Sequence, residues 1–255
     1  MTPPTGRRDR VDAAVWQEVE FGSYEADLPL WSELAASAEA PVLELGAGAG
    51  RVARRLADAG VHVIGVESDP DLLAGLELAA EEDGLPLDPV AGDLTAVGGL
   101  DLPAPPALVI APLHVIQMIA PDARASLLSW ITTAALGEAT VALTLVDEST
   151  LLRAGAAATQ ILPDMRELGD GWVYSSEPLW VQVGADVLTV RRLRERVSPE
   201  GRMEREVHDE VLHRLSPERL EEEGARAGLR AAGRRQITSG PNEADSTVVL
   251  LEVPG

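Results

Sequence analysis

The residues of this 255-residue chain that could do chemistry sit in or at the ends of short apolar runs. Glu44 lies inside the run Val42–Leu45, which stops at Gly46, Gly48 and Gly50, with Ala47 and Ala49 between them and Arg51 after. Glycines at such a turn let the backbone approach a ligand closely, and the helical pattern from Val52 offers unpaired N–H groups at its start. A dinucleotide turn needs G-x-G-x-x-G or a final alanine, so that the helix packs close beneath a pyrophosphate. Here the sixth position is Arg51, and Glu44 would repel a pyrophosphate but attract an ammonium group. A nucleoside carrying an amino-acid group fits better than NAD, although the glycines alone leave both open.

Further polar groups follow the same rule. Glu67 ends the run Val61–Val66 and lies 21 positions after Gly46, the spacing at which a carboxylate accepts from ribose hydroxyls. Asp93 and Leu94 follow a third run from Leu87 to Gly92, and His114 follows Pro112 and Leu113 after a fourth run, Ala107–Ala111. A fifth run, Thr140–Val146, ends in Asp147 and Glu148. An unperturbed imidazole pKa of ~6.5 suits proton removal near neutrality, which makes His114 the candidate base and Gln117, one helical turn on, a candidate substrate contact. The competing reading has His114 orienting its loop.

Five apolar runs separated by helical patterns imply a parallel sheet with crossover helices, and open α/β sheets bind ligands beyond their strand ends. Glu44 through Arg51, the Glu67 strand end, Ala91–Asp93 and the strand ending at Ala111 and Pro112 together resemble class I S-adenosylmethionine-dependent methyltransferases. The resemblance covers about residues 40–148, is weaker toward the C-terminus, and implies a Rossmann-like core. It also implies roles. Gly46, Ala47, Gly48 and Gly50, with Arg51 beside them, would line the methionine part of the cofactor, and Glu44 would help hold its ammonium group. Glu67 would take the ribose hydroxyls, with Ser68 against the adenine. Asp93 would accept from the adenine amine, while Gly92 and Leu94 border the ring. Ala111 and Pro112 would lie beneath the reacting sulfonium, and S-adenosylhomocysteine would be the product. A solvated carboxylate at each strand end is the plainer alternative.

Before the sheet, residues 11–38 read as helical, with a break at Phe21–Tyr24. Tyr24 and Trp31 resemble an aromatic pair set near the cofactor in glycine-N-methyltransferase-like enzymes, which makes Tyr24 a candidate for both catalysis and cofactor contact. The competing reading puts Trp16, Phe21 and Trp31 on an amphipathic face against the core. After the fifth strand, residues 149–170 look helical or loop-like. Trp172–Ser175, Pro178–Val183, Val187–Val197 and Met203–His213 then read as an inserted antiparallel sheet, a substrate wall or a surface for homodimerisation. Arg192, Arg194 and Arg196 share one face of it by strand alternation. Arg192 and Arg194 are candidate contacts to an anionic substrate group, while pairing with Glu204 and Glu206 is the alternative. Ser216 and Pro217 start a helix, and two strands, Leu229–Ile237 and Ser246–Val253, complete the core. Four regions result: an N-terminal arm and cap over 1–38, the cofactor core over 39–148, the insertion over 149–214, and the closing helix and strand pair over 215–255.

Composition narrows the function classes. The net charge of −21 argues against nucleic-acid or anionic-membrane binding, and the absence of cysteine excludes disulfides and thiolate metal sites. Residues 186–235 are nearly balanced, with 12 arginines against 11 acidic residues, so an acidic substrate could still be met there. All basic residues are arginine, which with abundant alanine points to a GC-rich bacterial coding sequence. No apolar run reaches the ~20 residues of a membrane helix, and residues 1–10 lack the apolar centre of a secretory signal and read as a disordered arm, so a cytoplasmic protein is expected. Ala111-Pro-Leu-His114 replaces the acidic ligands of metal-dependent catechol-type methylation. The Asn/Asp-Pro-Pro-Tyr pattern of amino-group nucleic-acid methyltransferases is absent there too. The expectation is therefore metal-independent methyl transfer to an O or N atom of a small molecule, the alternative being a cofactor-binding regulator, scaffold or cyclase without transfer.

Overall fold

A computed structural model of the chain describes residues 13–255 apart from 136, 157–162, 170 and 241–242; the expected arm over 1–10 lies outside them. The apolar runs become parallel strands: β1 (Val42–Leu45), β2 (Val63–Glu67), β3 (Leu87–Ala91), β4 (Leu108–Ala111) and β5 (Thr140–Val146). With β10 (Arg230–Ile237) and β11 (Ser246–Glu252) they form one sheet in the order β10-β11-β5-β4-β1-β2-β3. β11 runs antiparallel between β5 and β10, pairing Ser246 with Val146 and Glu252 with Thr140.

All four residues of β1 are buried, because helices cover both faces of the sheet. One core layer joins Leu43, Leu45, Ile64 and Val109 to Leu127 and Ile131 of helix α6 (Pro121–Ala134) and Leu220 of α8 (Pro217–Ala227). The opposite layer joins Val42, Val63 and Ile110 to Trp31 of α2 (Leu28–Ala35), Leu56 of α3 (Arg51–Asp58) and Leu76 of α4 (Pro70–Asp83). Each fully buried leucine or isoleucine contributes roughly 1.5–3 kcal/mol. Within the first layer, Arg124 bonds Glu223 at 2.7 Å and so ties α6 to α8. Ser216 caps α8 by accepting from the Arg219 N–H, with Pro217 at its first position, as the sequence predicts.

The insertion is a separate four-stranded antiparallel sheet, β6 (Asp164–Glu167), β7 (Val173–Val183), β8 (Val187–Val197) and β9 (Met203–His213), in that order. It differs from expectation in two ways. β6 lies in the segment read as helical or loop-like, after helix α7 (Glu148–Ala156). β7 is one strand whose register shifts between Pro178 and Trp180, because proline supplies no N–H to the ladder and is accommodated at a bulge. Helix α1 (Ala13–Phe21) docks on this second sheet: Trp16 meets Tyr174 edge-on at 5.9 Å, and the Arg194 guanidinium lies 5.2 Å from the Trp16 ring centre. No described helix is long and apolar enough to cross a membrane.

Candidate functional site

The glycine turn closes between the ends of β1 and β2. Gly46 and Gly48 take φ values of +68° and +60°, and a Cβ on Gly46 would stand 2.9 Å from Val115 of the short helix α5 (Val115–Met118). An L side chain there would be strained and would fill the approach to the backbone. Glu44 is fully buried behind the turn; its Oε2 makes no hydrogen bond, and burial pushes the carboxyl up to about 8. A buried carboxyl oxygen without a partner is costly, and a ligand ammonium is the group that would satisfy it. The turn and Glu44 therefore fit the amino-acid end of S-adenosylmethionine. A cavity of about 620 Å³ opens above them, bounded on the other side by Gln17, Phe21 and Tyr24. Gln17 accepts from the Ala49 N–H at 2.6 Å, a contact the sequence did not announce.

Glu67 and Asp93 stand at the ends of β2 and β3, outside the lining of that cavity. Glu67 accepts from the N–H groups of Gly48, Ser68 and Asp69, each at 2.8 Å, so its carboxylate shapes the turn. Asp93 is exposed; its Oδ1 accepts from the Thr95 N–H and hydroxyl, which holds its pKa down and leaves Oδ2 for a ligand donor. Gly92 lies where a Cβ would collide with Leu100, and Leu94 packs on the core. Ala111 is buried at the end of β4, while Pro112 reaches the cavity.

A buried cluster fastens the helical cap to this turn. Asp27, 1% exposed, takes a bidentate pair from Arg51 at 2.8 and 2.6 Å and accepts from the Trp31 indole at 2.9 Å. Arg51 also donates to the Tyr24 carbonyl at 2.8 Å. Burial works against the Arg51 charge, but the bond and charge of Asp27 outweigh it and raise its pKa. Trp31 is thus a core side chain held by Asp27, not a wall of the cofactor cavity, which corrects the expectation of an aromatic pair. Arg51 lines the cavity with its guanidinium already engaged.

A second cavity, of about 200 Å³, lies between the strand ends and the inserted sheet. Phe21, Tyr24 and Leu113 line both cavities and so form the partition between them. Leu113 holds φ +57°, an uncommon conformation for leucine that sets the chain direction into His114. His114 lines the second cavity, and its Nε2 lies 2.7 Å from Oε1 of Glu210 on β9. Burial opposes the His114 charge, yet Glu210 raises its pKa overall; His114 in turn holds Glu210 down against the effect of burial. Tyr24 shares a 3.1 Å hydrogen bond with Ser239, and burial raises its pKa, so it presents a neutral phenol rather than a base.

The remaining sequence candidates divide. Arg192 lines the second cavity, bonded to Asp164 at 2.6 Å and Ser176 at 2.8 Å. Arg194 does not line it; its Nε and Nη2 donate to Glu20 of α1 at 2.7 and 2.8 Å. Arg196 pairs with Glu204, as the alternative reading held, whereas Glu206 lies 4.0 Å from Arg194. Gln117 is buried and accepts from the Val146 N–H at 2.8 Å, which holds the end of β5 and removes it as a substrate contact. Asp27, Glu20 and Glu210 were missed. Asp27 carried a signal, an aspartate before a helix with proline in its first turn; the other two meet their partners only through the tertiary fold. Among the described residues no group of three His, Asp or Glu side chains could hold a metal ion.

A family model described as a methyltransferase domain matches residues 42–135. No curated protein sequence gives a significant match. Among solved structures, the CcbJ methyltransferase of Streptomyces caelestis is 23% identical over 90% of this chain and 96% of its own, with a TM-score of 0.64. The S-adenosylmethionine-bound amino pentose methyltransferase CalS10 of Micromonospora echinaspora is 15% identical over 95% and 98%, at 0.63. The sugar N-methyltransferase KedS8 of a Streptoalloteichus species is 16% identical over 98% and 97%, at 0.67. At these identities the solved structures establish the fold, and the domain match covers the glycine turn and both carboxylate strand ends. The chain therefore carries a methyltransferase domain over residues 42–135, on the fold that these methyltransferase structures share.

Proposed function

We propose that the chain methylates an amine nitrogen of a small molecule, which occupies the cavity beneath the inserted sheet. The observation that carries this reading is the lining of that cavity: four carboxylates, Glu20, Asp164, Glu210 and Glu243, stand against Arg192 and His114, with Arg194 behind the lining as the partner of Glu20. Burial raises the Asp164 pKa despite Arg192, and its side chain keeps 44% exposure, so the acidic wall opens to solvent at this end. Such a wall concentrates a cationic acceptor and disfavours an anionic one. The likeness to an amino pentose methyltransferase and a sugar N-methyltransferase supports the same class.

S-adenosylmethionine supplies a methyl group on a sulfonium, whose sulfur leaves as a neutral thioether. Glu44 and the turn from Gly46 to Gly50 hold its amino-acid end, while Glu67 and Asp93 are the acceptors for its nucleoside. The protein's further task is to bring an acceptor nitrogen to the partition and take its proton. His114 stands beside Leu113 at that partition and is the group that takes it.

The test is a panel of matched amino sugars and neutral sugars incubated with the protein and S-adenosylmethionine, read by mass spectrometry for one added methyl group. Methylation confined to the amines is expected. Equal methylation of the neutral sugars would transfer the reading to hydroxyl acceptors. Tight S-adenosylhomocysteine binding without turnover of any acceptor would favour a binding protein.

A further inference from the structure

The inserted sheet does more than cover the acceptor. Strand register sets Val190 of β8 opposite Glu210 of β9, and Arg192 opposite His208, so that Val190, Arg192 and Glu210 all face the cavity. From this face the Glu210 carboxylate reaches across 96 residues of sequence to His114, on the loop after β4. Both side chains are largely withdrawn from solvent, at 15% and 19% exposure. An ionised carboxylate can only accept, so Nε2 carries the hydrogen in this pair. Nδ1 makes no hydrogen bond among the described residues.

We propose that Glu210 is a positioning residue for methyl transfer: it fixes the His114 ring with Nε2–H toward the sheet and leaves Nδ1 to take the acceptor's proton. The inference rests on the methyltransferase reading. The proton leaves the acceptor's ammonium nitrogen, frees its lone pair and lands on Nδ1. The resulting imidazolium then lies against the Glu210 carboxylate. The strained Leu113 aims the same loop, so the imidazole is held from both sides. Other groups bearing on the pair are His208 and Arg192, which act on Glu210, and Glu20, Asp164, Glu243 and Tyr24 on the cavity wall. His114 is further met by the Phe21 ring, 6.0 Å away. Of these only Glu210 bonds the imidazole.

Glu210→Gln keeps the size and an acceptor oxygen but removes the charge. The expected result is a fall in kcat on the order of tenfold or more, with the rising limb of the pH–rate profile moved to lower pH. S-adenosylhomocysteine affinity should be unchanged, since Glu210 does not line the cofactor cavity. A merely structural Glu210 would lower the melting temperature yet leave the limb in place, and that outcome overturns the proposal. An independent measurement needs no acceptor: NMR titration of the chain's four histidines, with His114 assigned by its loss in His114→Gln. His114 should titrate above the ordinary imidazole value in the wild type and lower in Glu210→Gln. An unmoved His114 titration overturns the pairing itself, whereas a moved titration without amine methylation refutes only the acceptor class. Should Glu210→Gln not fold, a wild-type His114 that titrates at or below the ordinary value refutes the proposal.

Discussion

Replacing Asp27 with alanine tests the claim that the helical cap is fastened to the cofactor turn by a buried ion pair. The substitution strips Arg51 of two charge-assisted bonds, at 2.8 and 2.6 Å, and leaves the fully buried Trp31 indole without its acceptor. Breaking a buried pair from one side costs about 3–5 kcal/mol, and an orphaned indole N–H about 1–3 kcal/mol. One feature moderates the sum: Arg51 keeps the Tyr24 carbonyl. The expected loss is therefore about 3–4 kcal/mol, read by urea unfolding at constant m-value. Cofactor affinity should fall in parallel, because Tyr24 and Arg51 both line that cavity. A cycle with Arg51→Ala separates the pair from the packing; the double variant should be more stable than the sum of the singles implies, by about 1–3 kcal/mol. Additive singles, or a loss below about 1 kcal/mol, would refute the buried-pair argument.

Glu44 should make stability depend on pH. With a folded pKa of about 8 against an ordinary 4.5, the native state keeps a proton that the unfolded chain loses between those values. Its contribution is complete below pH 4.5 and disappears as pH rises through 8, at about 1.4 kcal/mol per pH unit between. Denaturation midpoints of Glu44→Gln should be flatter than those of the wild type across that window. Gly48→Ala places a side chain at φ +60° and against the Gln17 amide, and should cost about 1–2 kcal/mol. Calorimetry should show weaker S-adenosylhomocysteine binding by that variant, and unchanged binding would remove the turn from the cofactor site.

The parallel sheet was legible because its signals are local. Val42–Leu45 and Thr140–Val146 are apolar runs of strand length, and the glycines after β1 have one conformational use. β6 was not legible, since Asp164–Glu167 holds a single apolar residue and is a strand only because β7 pairs with it. Pro178 divided β7 on paper, whereas a bulge carries the strand past it. Alternation placed Arg192, Arg194 and Arg196 on one face correctly. Their division of labour depends on Glu20, which meets Arg194 across 174 residues of sequence. Trp31 looked functional by type, but its indole serves Asp27. Residues that act through neighbours distant in sequence, Glu210 above all, leave no trace in local pattern.

Helix α1 holds Ala49 of the glycine turn through Gln17 and, one turn further along, holds Arg194 of the inserted sheet through Glu20. These nine residues are thus shared property of both cavities. A movement of α1 that displaced Gln17 from the cofactor turn would also displace Glu20 from the wall of the second cavity. Traffic through the two compartments should then be ordered: cofactor enters an open enzyme first, and its demethylated remnant leaves last. In steady-state kinetics S-adenosylhomocysteine would compete with S-adenosylmethionine but not with the amine, and release of that remnant would bound the turnover rate.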